Sequence, residues 1–337
     1  MTRRTLSVTE EVFAIAGRFV IARGAKTEAR VVTVTLTESD RSGRGECVPY
    51  PRYGESPQSV IAQIECIRPA LEAGVGRQDL LTLLPPGAAR NAADAALWDL
   101  EAALAGQSIA SRLQITLPPQ AVTAVTLSLD TPQAMAARAA ALPGSPPLLK
   151  LKLGSGDSDD VARVAAVHDA APQARLILDA NEGWTAAWLV QHLDALARYP
   201  IDLVEQPLPA GQDGDLANLR PPFTVCADES CHSRDGLAAL RERYQAVNLK
   251  LDKTGGLTEA LATAEAAEAL GFRIMIGCMV GTSLAMLPAL HLAPRAEWLD
   301  LDGPLFLQQD RPGGLRYDAG RLQLPEGVPC WGGGHVA

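Results

Sequence analysis

From Ala121 to Gly303 the chain repeats one pattern. A short apolar, β-rich run gives way to an Ala-rich helical run, and the apolar run then returns. The strand candidates are "VTAVTLSL", "LLKLKLG", "RLILDAN", "DLVEQP", "TVCADES", "AVNLKLDK", "RIMIGCM" and "EWLDLDG". Between them lie helical stretches such as "DDVARVAAVHDAA", "TAAWLVQHLDALARY" and "TEALATAEAAEALG". Eight strands alternating with helices fit few architectures, and a parallel barrel is the foremost. The apolar runs are nearly continuous, as they are in strands covered on both faces.

The segment before this repeat is different in kind. "FAIAGRF" and "EARVVTVTLTES" alternate like antiparallel strands. "GRGECVPYPRYGES" is a loop rich in Gly, Pro and Tyr, and "ARNAADAALWDLEAALAG" is a helix stopped by Gly106. After Asp302, "QQDRPGGLRYDAGRLQLPEG" reads as loop and short strands returning toward the N-terminal part. The expected division is a capping domain at 1–117, a barrel at 118–303 and a returning segment at 304–337.

The 337 residues suit a barrel with a smaller added domain. A net charge of −9 without a basic block argues against nucleic acid as a partner. No apolar run has the length of a membrane span, and the N-terminus does not read as a signal peptide, so a cytoplasmic location is expected. Six cysteines without a CxxC pair read as reduced, small buried hydrophobes rather than a zinc site.

The charges on the strands carry the chemistry. Lys150 and Lys152 end the second strand, Asp179 the third, Glu205 the fourth, Asp228 the fifth, Lys250 the sixth, and Asp300 and Asp302 the eighth. From Lys152 to Lys250 the steps are 27, 26, 23 and 22 residues, each one strand-helix repeat. Lys150 and Lys152 are two apart and share a strand face. On an edge strand that pattern would mean solvated lysines. The repeated charges place it instead at the C-terminal rim, where barrel enzymes build active sites. Three carboxylates without His or Cys make a hard oxygen site suited to Mg²⁺. Lys152 and Lys250 would flank that ion, and a neighbouring metal or lysine favours the neutral amine that a general base requires.

The stretches "KLK", "LDAN", "VEQP", "ADES" and "LKLDKTGG", in this order, resemble the enolase superfamily, muconate-lactonizing-enzyme subgroup. "ALWDLEAALAG" resembles that subgroup's junction between cap and barrel. Within the subgroup, "IARGAKTEAR", "GECVPYPRYGES", "NLKLDKTGGLTEAL" and "DLDGP" look like the dipeptide epimerases. The resemblance implies an α/β fold, a modified TIM barrel of (β/α)7β type with an α+β capping domain. It also implies epimerisation of L-Ala-L-Glu and L-Ala-D-Glu through an enediolate, in recycling of murein peptides. Carried over, Lys152 and Lys250 are the acid/base pair and Lys150 assists Lys152 and the substrate carboxylate. Asp179, Glu205 and Asp228 bind one Mg²⁺, and Asp300 and Asp302 bind the dipeptide ammonium. Enolase-superfamily sites with a Lys or His base and Mg²⁺ are a known pattern.

Arg23 and Lys26 could meet the glutamate side-chain carboxylate, Arg23 preferred for its planar fork. Tyr50 and Tyr53 are loop-packing or pocket residues, and Cys278 and Met279 line the pocket by position. Glu229 either bonds a lysine or caps a turn. Asp252 and Lys253 are expected in an ion pair or loop, and no catalytic role is expected of His168, His192, His232, His291 or His335. Other readings keep the site and change the substrate: other dipeptides, N-acylamino acids, o-succinylbenzoate synthesis or muconate cycloisomerisation. "DLDGP" speaks against acids that lack an ammonium. An inactive relative would have no use for the full set of lysines and carboxylates. The oligomeric state, a homo-oligomer included, stays open.

Overall fold

The computed structural model describes residues 4–332, so His335 lies outside the described residues. Strands β1 (Thr5–Ile21), β2 (Gly24–Glu38) and β3 (Arg41–Cys47) form an antiparallel meander, with a bulge between Ala14 and Phe19. The third strand corrects the sequence reading, which placed "GRGEC" in a loop. Its glycines explain the difference. A Cβ on Gly43 would lie 2.1 Å from Leu100 N, and one on Gly45 would lie 2.1 Å from Ala92 O. The strand therefore packs backbone to backbone on the Ala-rich helix Ala88–Ala105, which Gly106 ends in the left-handed conformation.

That helix joins the cap to the rest of the chain. Val32, Val34 and Leu36 of β2 cover one side. On the other, Trp98 Nε1 donates to Thr258 Oγ1 at 3.0 Å, and Arg90 donates to the carbonyls of Thr254 and Gly255. The helix is thus packed from two sides.

The first strand candidate proves to be two strands, β4 (Gln120–Val122) and β5 (Val125–Leu127). Then follow β6 (Leu148–Lys152), β7 (Arg175–Asp179), β8 (Ile201–Glu205), β9 (Thr224–Ala227), β10 (Ala246–Leu249), β11 (Arg273–Ile276) and β12 (Trp298–Leu299). β5 to β12 form one eight-stranded sheet in sequence order, and its pairs are parallel. Across the seam between its ends, Ala124 N donates to Leu299 O at 2.8 Å and Leu301 N donates to Thr123 Oγ1 at 2.9 Å. After the barrel, Ile15 and Leu307 form an antiparallel bridge to the cap. Strand β13 (Arg316–Asp318) pairs with β14 (Arg321–Gln323), which pairs with β4, and Trp331 Nε1 donates to Ala95 O at 3.0 Å. No described helix is long and apolar enough to cross a membrane.

Two apolar layers hold the barrel. Leu149, Leu151, Leu176, Leu178, Val204 and their neighbours pack outward among the helices. Inside, Ala124, Leu148, Ile177, Leu203, Cys226, Ala246, Met275 and Trp298 form a separate plug. The plug fixes which way the next residues face.

Candidate active site

Strand side chains alternate with a period of two. Two residues beyond the plug stand Thr126, Lys150, Asp179, Glu205, Asp228, Asn248, Gly277 and Asp300, and two further on stand Lys152, Lys250, Met279 and Asp302. Parallel pairing brings the two sets together: Lys152 is the register partner of Asp179, and Asp179 of Glu205. The lysines are deeply buried, with Lys150 1% exposed, Lys152 7% and Lys250 6%. Charge at that depth persists only when paired.

The pairing is dense. Lys150 Nζ lies 2.6 Å from Glu205 Oε2, 2.7 Å from Asp300 Oδ2 and 3.1 Å from Asp179 Oδ2. Lys152 Nζ lies 2.5 Å from Asp179 Oδ2. Lys250 Nζ lies 2.6 Å from Asp228 Oδ2 and 3.7 Å from Glu205 Oε1. Two residues that the sequence reading left out of the site belong to this cluster. Asn248 Nδ2 donates to Glu205 Oε1 at 2.7 Å, and Lys253 Nζ donates to Asp228 Oδ1 at 2.6 Å and to Asp228 O. Counting back by two from Lys250 would have found Asn248. Lys253 sits in the turn Leu251–Thr254, outside the strand pattern.

Burial disfavours charge on every member, and the partners decide the outcome. For Lys150 and Lys250 the attraction of the carboxylates outweighs desolvation and holds both ammonium groups well above the usual lysine value. This direction is opposite to the one expected of a base, so the carboxylate field must be offset before Lys250 can release its proton. Asp179 and Asp228 are likewise buried, yet Lys152 and Lys150 on one, and Lys250 and Lys253 on the other, hold them below the usual carboxylate range. Glu205 is pushed up by burial and by Asp179.

Among the described residues no three His, Cys, Asp or Glu side chains stand as a ready metal cage. The ion pairs give the reason: lysine ammonium groups bridge Asp179 to Glu205 and Glu205 to Asp228. The donor set nonetheless fits a hard divalent cation. It is all oxygen, a cationic group already sits between its members, and buried Glu205 Oε2 has Lys150 at 2.6 Å without any aligned hydrogen-bond donor.

Above the cluster lies a cavity of about 440 Å³ between barrel rim and cap. Lys152, Lys250, Asp228, Asp300, Asp302 and Cys278 line it from the barrel, and Arg23, Lys26 and Tyr53 line it from the cap. Lys150, Asp179 and Glu205 lie beneath its floor. Asp302 Oδ2 accepts from Thr126 N at 2.6 Å, and burial together with the charge of Asp300 raises its carboxyl to about 7. None of the described histidines lines the cavity; His232 packs edge-on against Tyr53. Cys66 departs from the expected burial by being exposed.

The two cap cations differ in their surroundings. Arg23 pairs with Glu182 and Glu229 at 3.1 and 2.8 Å and donates to Asn181 O. Glu229 is thus paired to an arginine, whereas a lysine or a turn was expected. Lys26 has no carboxylate partner among the described residues. Its Nζ stands 5.0 Å from the Tyr50 ring centroid, and burial with repulsion from Arg23 lowers its affinity for a proton.

Comparison with known proteins identifies the family and the fold. Residues 3–113 match the N-terminal domain of the mandelate racemase / muconate lactonizing enzymes, and residues 133–332 match the enolase C-terminal domain-like family. The chain is 49% identical to the L-Ala-D/L-Glu epimerase of Escherichia coli K12, covering 95% of this chain and 100% of that protein. It is 44% identical to the N-acetyl-D-glutamate racemase of a Pseudoalteromonas species, over 90% and 96%. Among solved structures, an enolase family member from Agrobacterium tumefaciens, with homology to dipeptide epimerases and with sodium and L-Ala-L-Glu bound, superposes with a TM-score of 0.92. That protein is 51% identical, with 96% of this chain and 98% of it covered. With its ladder of charged strand ends and its antiparallel cap, the chain belongs to the mandelate racemase / muconate lactonizing enzyme family of the enolase superfamily.

Proposed function

We propose that this protein is a dipeptide epimerase that interconverts L-Ala-L-Glu and L-Ala-D-Glu by moving the proton alpha to the glutamate carboxylate. One observation carries the reading. Lys152 ends β6 and Lys250 follows β10, four places apart in an eight-stranded barrel, so the amines stand across the cavity from each other. A substrate carbon held between them presents one face to each. One lysine removes the proton and the other returns one on the opposite side, which inverts the centre.

Asp179, Glu205 and Asp228 would hold one Mg²⁺. Such an ion would offset the field that keeps Lys250 protonated and would stabilise charge on the substrate carboxylate. Asn248 and Lys253 hold Glu205 and Asp228 in place. Asp300 and Asp302 supply an anionic wall for the alanine ammonium. Lys26, free of a carboxylate partner, meets the glutamate side chain from the roof, and Arg23 contributes at longer range. Murein peptides in the cytoplasm supply a dipeptide of this kind.

A second reading rests on a specific observation. Asp300 is already paired to Lys150, which weakens the anionic wall, and a relative is named for N-acetylglutamate. Both L-Ala-L-Glu and N-acetyl-L-glutamate should therefore be incubated with the Mg²⁺-loaded enzyme in D₂O. Deuterium at the glutamate alpha carbon of the dipeptide, with appearance of the other epimer, is the expected result. Exchange of N-acetylglutamate alone would move the assignment, and exchange of neither would remove it.

A further inference from the structure

We infer that Glu182, a barrel residue that neither lines the cavity nor touches its lysines, is the positioning residue that fixes the cavity roof. Its carboxylate receives four donors from three residues. Arg52 binds it as a fork, Nε to Oε2 at 3.0 Å and Nη2 to Oε1 at 2.9 Å. Arg23 Nη1 reaches Oε2 at 3.1 Å, and Ala210 N donates to Oε1 at 2.9 Å. Arg23 stands in the turn between β1 and β2, and Arg52 in the short helical turn Pro51–Tyr53. One carboxylate thus grips both cap loops that face the substrate, together with the loop after β8.

The surroundings separate this from an ordinary surface ion pair. The Glu182 side chain is 10% exposed, although Arg52 is 41% exposed. Its own backbone is left-handed, at φ 68°, a conformation that a residue with a Cβ adopts only where its surroundings hold it. Glu182 N donates to Gln206 O at 2.9 Å, next to Glu205, so the anchor is tied to the strand ends that carry the chemistry. Arg23, once held, extends to Glu229, and its Nη2 donates to the Tyr50 hydroxyl at 3.2 Å. Two charge-assisted contacts from separate cap loops to one fixed carboxylate are a device for setting loop position. Losing them would leave proton transfer intact and loosen the walls that bind the substrate.

The test uses Glu182→Gln, Arg52→Gln and the double variant of the full chain. Amide hydrogen exchange of peptides covering 19–26 and 48–55 should speed up by about tenfold or more in each variant, with peptides of β13 and β14 unchanged. KM should rise by about tenfold or more while kcat stays within about threefold, the pattern of lost binding alone. The double variant should be no worse than the worse single, because both remove the same contact. Arg52→Gln gives the same readout if Glu182→Gln does not fold. Unchanged loop exchange, additive effects, or a fall in kcat at constant KM would overturn the proposal. The exchange measurement needs no substrate, so it judges the anchor even if the epimerase reading fails.

Discussion

Lys152 and Asp179 are register partners on adjacent parallel strands, and their side chains meet at 2.5 Å, amine to carboxylate. A proposed base and a proposed metal ligand are therefore direct neighbours, and the state of one sets the charge of the other. On the far wall Lys250 and Asp228 make the same amine-to-carboxylate contact at 2.6 Å, although they are not register partners.

Replacing either Lys152 or Lys250 with Ala should stop epimerisation, with a loss of about 10²-fold to 10⁴-fold or more for the missing acid/base group. Each variant should still exchange the alpha proton of one epimer, and the two variants should prefer opposite epimers. Proton NMR in D₂O reads this directly. Two variants with the same epimer preference would disprove the opposed arrangement.

Mg²⁺ should stabilise the fold. At a concentration one hundred times its dissociation constant, a ligand bound only by the native state adds about 2.7 kcal/mol. A melting curve with Mg²⁺ should shift upward relative to one in EDTA. Asp179→Asn, Glu205→Gln and Asp228→Asn should lose that shift. A shift retained in all three would place the ion elsewhere.

Lys26→Met should discriminate among substrates. A hydrogen bond to a charged group contributes roughly 1.5–3 kcal/mol, or about 10-fold to 150-fold in kcat/KM. That loss is expected for L-Ala-L-Glu and should be much smaller for a dipeptide with an apolar second residue. Equal losses on both substrates would assign Lys26 to loop structure.

His291 makes stability depend on pH. Burial against Trp331 pulls its imidazole down to about 4, from an ordinary 6.5. The folded chain thus binds fewer protons than the unfolded chain between these values. The associated stability is present above pH 6.5 and is lost as pH falls toward 4, by about 2 kcal/mol at pH 5. Urea unfolding at pH 7.5 and pH 5 should show this loss, and His291→Gln should show less of it. Parallel behaviour of the two proteins would exclude His291 as the cause.

Much of the site was legible because a strand's period of two and a barrel's repeat are both one-dimensional. Lys150 and Lys152 had to share a face, and the spacing from Asp179 to Lys250 had to bring each charge to the same rim. What escaped was of two kinds. Asn248 carries no charge and so did not stand out, although it obeys the same period. Lys253, Glu182 and the third cap strand depend on where a turn or loop travels. Arg23 lines the cavity as its loop position suggests, but its pairing was not legible, because its partners Glu182 and Glu229 are 159 and 206 residues away.

The sequence alone determined the strand-helix alternation, the faces of the strands and the identity of the charged rim, since each follows from local spacing. Only the tertiary structure decided how those charges pair. At this depth an ammonium or carboxylate persists only with a partner, and the partner comes from a neighbouring strand or from the opposite domain. The apolar plug beneath, from Leu148 to Trp298, turns each following residue inward, and the cap closes over them. Which lysines line the cavity, which lies under the floor and which arginine pairs with a barrel loop are consequences of that enclosure.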